Sequence, residues 1–186
     1  MQLFWLHGYD GVSTQMLVEA MGINRKSVYS EFGNKQKLYH AALDRYLCEV
    51  IPQIFAVMNS DEANLQSVFE VLRRFSDAVG RKGPEKGCML CNAASETAHH
   101  DGAVRVLVDD YFRLIKSSFE NALGAAVRKG ELTADLDIGT WSSSLATSVI
   151  GMFVMIRSRV DGAILTAAAD LAVAQLRLQR RARDVD

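Results

Sequence analysis

Apolar residues recur three and four positions apart along most of the chain. The runs are opened by serine or asparagine and closed by glycine, which predicts a succession of helices. Met1 to His7 is the first, stopped by Gly8. Ser13 caps a second helix that runs to Met21 with Leu17 and Met21 facing inward, and Gly22 is placed to take the left-handed conformation that ends it. Asn24 caps a third helix ending near Phe32, and Ile23 with Val28 forms a hydrophobic staple across its start. Gly33 breaks the chain again. Asn34 then caps a long fourth helix through Leu38, Ala42 and Leu43 toward Met58, kinked by Pro52. Ser60 with Asp61 and Glu62 opens a fifth helix to Val79, followed by the loop GRKGPEKG, Gly80 to Gly87. The remainder predicts the segment CMLCNAASETAHH, a helix from Ala103 to Lys129 closed by Gly130, a helix from Ile138 to Arg159, and a last helix after Gly162. The charged terminus RLQRRARDVD is expected to fray. Alternation with a period of two is hard to find, so the fold class is all-α.

Composition adds three constraints. A chain of 186 residues with 49% apolar content buries an ordinary core. A formal net charge of −1 excludes a globally basic nucleic-acid binder, so any attraction to phosphate comes from a local cluster. Three cysteines, an odd count without a signal peptide, point to reduced thiols and a cytoplasmic location. Ile138 to Ile156 carries no formal charge and approaches the length of a membrane span. Its hydroxyls at Thr140, Ser142, Ser143, Ser144, Thr147 and Ser148 suit a helix packed on other helices, so no membrane partner is expected.

The stretch GINRKSVYSEFGNKQKL, Gly22 to Leu38, places the local cluster. A short helix, a glycine turn and a second short helix with exposed cations is the layout of a helix-turn-helix, whose second helix lies in the major groove of DNA. With Val28 and Phe32 facing inward, that helix presents Arg25, Lys26, Ser27, Ser30 and Glu31 to solvent. Arginine and lysine suit guanine edges or phosphates, serine reads either base, and the Tyr29 hydroxyl can bond a phosphate. Asn34 and Lys35 form a helix N-terminus with a lysine beside it, a natural phosphate site. The plain alternative is a solvated charged surface.

Residues LFWLHGYDGVSTQMLVEAMGINRKSVYSEFGNKQKLY resemble the DNA-binding domain of the tetracycline-repressor (TetR) family of bacterial transcription regulators. The match rests on Leu3-Phe4, Gly8-Tyr9, Ser13, Gly22-Ile23-Asn24, Tyr29, Phe32, and Lys35 followed by Leu38. The resemblance implies a helix-turn-helix domain over 1–47, in which Ser13, Thr14, Arg25, Lys26, Ser27, Tyr29, Ser30 and Lys35 face DNA. It implies an effector-binding and dimerising domain over 48–186, where GCMLCNAASETA and VRKGELTADLD are similar to segments of several branches. Two departures stand out. Glu31 occupies a place where the family often has histidine, and is expected to turn toward Lys35. The first helix is truncated to about half the family's length and the basic arm before it is missing. If Met1 is the true start, fewer phosphate contacts and a less well-buried first helix are expected; a start codon placed too far downstream, or a trimmed chain, is the simpler account.

The family's members are homodimers, and one helix-turn-helix reads too few bases. Two held about 34–36 Å apart read successive major grooves of a double-stranded operator. Leu145, Ser148, Val149 and Met152, with Leu165, Ala169, Ala172 and Leu176, form stripes expected at the dimer interface; the alternative is packing inside one chain. A small apolar or electrophilic effector is expected among Phe55, Met58, Phe69, Leu72, Phe75, Met89, Tyr111, Phe112, Trp141 and Phe153, large adaptable side chains that are equally suited to plain core. The fourth helix, with Pro52, is the expected lever between effector and DNA.

Cys88 and Cys91, three apart, allow a thiol switch, with Arg81, Lys82 and Lys86 near enough to favour a thiolate, or an inert buried pair. A single CxxC beside His99 and His100 falls short of the four converging ligands zinc needs, so no metal or cofactor is expected. Glu96 with His99 and His100 is all that the chain offers an enzyme, and Glu96 with His100 is as typical of a surface pair. The expected function is therefore a ligand-responsive repressor and not an enzyme.

Overall fold

The computed structural model describes residues 1–78 and 86–180. Most of the expected Gly80–Gly87 loop, the end of the fifth helix at Val79, Arg81 and Lys82, and the last six residues of the chain lie outside them. Among the described residues the regular structure is helical: α1 (Gln2–His7), α2 (Thr14–Met21), α3 (Arg25–Phe32), α4 (Lys35–Arg45), a π turn (Tyr46–Val50), α5 (Ile51–Phe55), a 3-10 turn (Ala56–Met58), α6 (Leu65–Ser76), α7 (Met89–Glu96), α8 (Gly102–Arg128), α9 (Ile138–Arg157) and α10 (Gly162–Leu178). The one β feature among them is an isolated bridge between Leu132 and Arg180. The chain divides into two compact units, Met1–Pro52 with Lys86–Tyr111 and Gln53–Glu85 with Phe112–Asp186, so residues 86–111 join the first unit instead of following the sequential division at residue 47.

In the first unit the helices are too short to persist alone in water, and packing holds them. Phe4, Val12, Leu17, Val28, Leu38, Tyr39 and Leu43 are all buried. Edge-on rings extend this core, with Phe4 and Tyr39 centroids 5.1 Å apart and Trp5 and Tyr46 4.9 Å apart. The Trp5 indole donates to the Gly87 carbonyl at 3.0 Å. Two expected inward positions are not deeply buried: Met21 is exposed and Phe32 half-buried, and Ile23 of the staple is exposed. The expected kink at Pro52 takes the form of the π turn just before it, where the Ile51 amide bonds back to the Tyr46 carbonyl. A proline has no amide to continue the ladder, and one widened turn absorbs that loss.

In the second unit α6 begins at Leu65, not at Ser60. Asn64 and Ser67 cap each other reciprocally, the Ser67 amide donating to Asn64 Oδ1 at 3.1 Å and the Asn64 amide to Ser67 Oγ at 3.3 Å. Glu131 accepts from the Leu65 amide at 2.8 Å, so a distant carboxylate satisfies another free donor of the first turn. Helix α10 packs on α6 and α9 through Leu165, Ala169, Ala172, Val173 and Leu176. The Phe75 and Phe153 rings meet edge to face at 4.7 Å. Helix α9 is long and apolar enough to cross a membrane by length and composition, with a mean hydropathy of 1.3, but Ser142, Leu145, Ala146, Val149, Met152, Phe153 and Ile156 are buried in the protein.

Candidate nucleic-acid interface

Local chemistry builds the α2–turn–α3 module. Ser13 Oγ accepts from the Met16 amide at 3.2 Å, and Gly22 takes the left-handed conformation (φ 66°) that ends α2. Asn24 Oδ1 accepts from the Ser27 amide at 2.9 Å and starts α3. Val28 is 1% exposed and anchors α3 inward, while Arg25, Lys26, Ser27, Ser30 and Glu31 are exposed. The Ser27 hydroxyl donates to Asn24 Oδ1 at 3.2 Å, so it is shared between the cap and any ligand.

Thr14 and Tyr29 tie the two helices together, with their hydroxyls 2.9 Å apart. The Arg25 guanidinium lies 5.4 Å from the centroid of the Tyr29 ring. The Thr14 hydrogen bond, and then the Arg25 and Lys35 cations, hold the Tyr29 phenol below its ordinary value.

Asn34 Oδ1 caps α4 by accepting from the Lys37 amide at 2.8 Å. The Lys35 ammonium lies 4.4 Å over the face of Tyr9, not against Glu31 as expected, because the Gly33 break leaves Glu31 on α3 and starts Lys35 on a new helix. Tyr9 packs on Tyr39, ring centroids 5.0 Å apart, so the cation rests on a buried aromatic base.

Two acidic residues that sequence reasoning did not assign to this module fix its frame. Asp101 Oδ2 accepts from Gln36 Nε2 at 2.8 Å and is 2.7 Å from His40 Nε2, both on α4. Its Oδ1 accepts from the Ala103 and Val104 amides at 3.0 and 3.2 Å, capping α8. Burial opposes its ionisation, yet the bonds from Gln36, His40 and Val104 hold the carboxyl well below the usual carboxylate range. Glu96, entertained above as a catalytic acid, accepts from the Tyr9 amide at 3.3 Å. Its carboxylate lies against Gly8, whose φ of 73° and ψ of −179° suit glycine alone. His99 and His100 are exposed and meet each other at 3.0 Å. A helix cap two residues ahead of Ala103 was the signal that could have found Asp101.

The thiols lie in the first unit. Cys88 is the N-cap of α7 and fully buried, Cys91 is 7% exposed, and Cys91 Sγ is 3.2 Å from the Tyr111 hydroxyl. Among the described residues no group of three or more metal-ligating side chains gathers.

The expected effector residues divide. Phe55, Met58, Phe69, Leu72, Phe75 and Phe153 are buried core of the second unit, Trp141 is half-buried and Phe112 exposed there. Met89 and Tyr111 are buried in the first unit, so the ten do not form one set. A cavity of about 400 Å³ in the first unit is lined by α1, α2 and α4 residues that include Leu3, Phe4, Leu17, Met21, Leu38 and Ala42, and none of the ten lines it.

The expected dimer stripe is corrected more sharply. Leu145, Val149, Met152, Leu165, Ala169, Ala172 and Leu176 are all buried within the single chain, and Ser148 is half-buried. Those stripes face α6 and each other. The large apolar residues that α9 and α10 show to solvent are Val154, Ile164, Leu171 and Leu178, which are 52%, 49%, 60% and 82% exposed.

The all-helical fold and the capped α2–turn–α3 module define a helix-turn-helix protein. Residues 1–42 match the family "Bacterial regulatory proteins, tetR family", and residues 63–175 match "Tetracyclin repressor-like, C-terminal domain". The chain belongs to the TetR family of transcriptional regulators. It is 26% identical to the HTH-type transcriptional repressor ComR of Escherichia coli (strain K12) over 179 residues, 96% of this chain and 84% of that protein. It is similar to the regulator CifR, solved as a cysteine mutant in complex with 26-bp double-strand operator DNA, with a TM-score of 0.79, 28% identity, and 92% of this chain and 90% of that one covered. The reduced form of E. coli NemR shares the fold, with a TM-score of 0.79 at 18% identity, covering 99% of this chain and 94% of that one.

Proposed function

We propose that this regulator is a homodimeric repressor that binds a double-stranded operator in the cytoplasm and leaves it when a small apolar or electrophilic effector binds. Residues 1–47 hold the operator, and the remainder carries dimerisation and effector binding. The observation that carries the reading is the exposed α3 surface of Arg25, Lys26, Ser27 and Ser30, framed by the Thr14–Tyr29 bond and by Lys35. That CifR is bound to operator DNA supports it. The corrected dimer surface is α10's Ile164, Leu171 and Leu178, seven residues apart, with Val154 of α9, a spacing that keeps one helical seam in register.

The test is binding to the DNA upstream of the protein's own gene. Arg25→Ala with Lys26→Ala abolishes sequence-specific retention, whereas Lys35→Ala weakens specific and non-specific DNA alike and lowers the salt slope by about 1. Unchanged binding by the double variant overturns the reading.

A second reading is favoured by one observation: two thiols share the start of α7 with the Tyr111 hydroxyl. In it, the signal is thiol chemistry at Cys88 and Cys91 rather than a retained ligand.

A further inference from the structure

We propose that Tyr9 is a positioning residue of the DNA interface: its ring holds the Lys35 ammonium in place before DNA arrives, so that the cation meets an operator phosphate already ordered. The proposal rests on the operator-binding reading above and deepens it, because it names a residue outside the α2–turn–α3 module that prepares one of its phosphate contacts.

Lys35 is an ill-placed cation until the ring is considered. It is the first residue of α4, where the free amides of a helix start disfavour positive charge, and no acidic residue stands in that first turn. Glu31 is on α3, beyond the Gly33 break, and among the described residues no carboxylate pairs with the ammonium. What meets it is the face of Tyr9, 4.4 Å away at the ring centroid. An aromatic face carries the negative part of the ring's quadrupole, so it supplies the attraction that the helix start withholds. An ammonium has three N–H donors, and a ring on one side leaves the others for phosphate oxygens.

Tyr9 itself is fixed from two sides. Its ring lies on Tyr39, centroids 5.0 Å apart and planes tilted by 46°. Tyr39 is 2% exposed and packs edge-on against Phe4. The Tyr9 backbone is held by Glu96 of α7, which accepts from its amide at 3.3 Å, and by the Val12 amide, which donates to its carbonyl at 3.4 Å. The ring is the stationary partner, and the flexible lysine stem adjusts to it.

The seat also places the charge near the helix pair. The Thr14 hydrogen bond holds the Tyr29 phenol below its ordinary value, and the Arg25 and Lys35 cations add to that effect. Lys35 on Tyr9 is thus within electrostatic reach of the bond that joins α2 to α3.

Preorganisation is how this arrangement acts on DNA. A lysine free on a surface keeps many rotamers and loses them when it binds a phosphate, whereas one already seated on a ring loses fewer. The gain corresponds to roughly 2–10-fold in affinity per protomer.

The experiment is a double-mutant cycle on the full chain, read by gel-shift titration with the DNA upstream of the gene and by NMR of the free protein with labelled lysines. In the free protein the Lys35 ε-methylene signal, assigned by its loss in Lys35→Ala, is shifted upfield by the ring, stays so in Tyr9→Phe and returns to an ordinary position in Tyr9→Leu. Tyr9→Leu weakens operator binding by roughly 2–10-fold per protomer, Tyr9→Phe restores it, and Tyr9→Leu has no further effect once Lys35→Ala is present. Should Tyr9→Leu fail to fold by circular dichroism, Tyr9→Met, which fills the space without an aromatic face, takes its place. An unshifted Lys35 signal in the wild type overturns the proposal, as does a loss from Tyr9→Leu that is equally large in the Lys35→Ala background, since that is the mark of a ring that only supports the fold. A wild-type chain that retains no upstream DNA sinks the repressor reading instead, and the NMR signal still decides whether the ring holds the cation.

Discussion

Replacing Asp101 by alanine tests whether the module's frame is held where the structure places it. The change uncaps the Ala103 and Val104 amides, a loss of about 1 kcal/mol. It also removes two hydrogen bonds to a carboxylate, from Gln36 and His40, each about 1.5–3 kcal/mol when fully sequestered. The His40 side chain is 25% exposed, so those values are discounted and the total expected is about 2–4 kcal/mol. Asp101→Asn keeps the cap, because asparagine caps as well as aspartate, and loses about half as much. Trp5 reports the first unit through its bond to Gly87, and a Trp141→Phe background leaves it as the single tryptophan. Urea unfolding followed by Trp5 fluorescence then reads the unit of interest. The pH dependence adds a second handle. The folded carboxyl titrates well below its unfolded value near 3.9, so its contribution is complete above that pH and disappears as pH falls toward the folded value. The gap between wild type and Asp101→Ala is therefore constant near neutrality and closes below about pH 4. A gap under about 0.5 kcal/mol at pH 7, or one that persists at low pH, refutes the assignment.

Three further outcomes follow from the geometry. Gly8→Ala puts a Cβ 2.6 Å from Glu96 Oε2 at a glycine-only backbone angle and loses about 1–3 kcal/mol, more than Gly22→Ala, whose Cβ meets nothing within 4 Å; thermal unfolding ranks the two. Leu176→Ala destabilises the chain by about 2–5 kcal/mol, whereas Leu171→Glu leaves protomer stability within about 0.5 kcal/mol and moves sedimentation from dimer to monomer. Tyr29→Phe removes the partner of Thr14, lowers stability by about 0.5–1.5 kcal/mol in thermal unfolding and weakens operator binding in a gel-shift titration.

The starts of α2, α3 and α4 were legible because a cap is decided within three residues: Ser13, Asn24 and Asn34 each hold the amide that spacing assigns to them. The same rule misplaced the start of α6, where Ser60 and Asn64 both qualify. The reciprocal bond to Ser67 and the distant Glu131 decided between them. Asp101 and Glu96 were visible as acids near a turn, but their partners lie 61 and 87 residues away in sequence, beyond any local pattern.

The amino-acid sequence alone determined the helical class, the glycine breaks, the capped module and the cations on its exposed face. Those features follow from interactions between neighbours along the chain, and they survive whatever the rest of the fold does. Tertiary structure decided which side of α9 and α10 is interior, which carboxylate grips α4, and that Cys91 of α7 lies against the Tyr111 hydroxyl. Helices rich in apolar residues on several faces offer more than one way to pack, and only the partner that arrives from elsewhere in the chain selects among them.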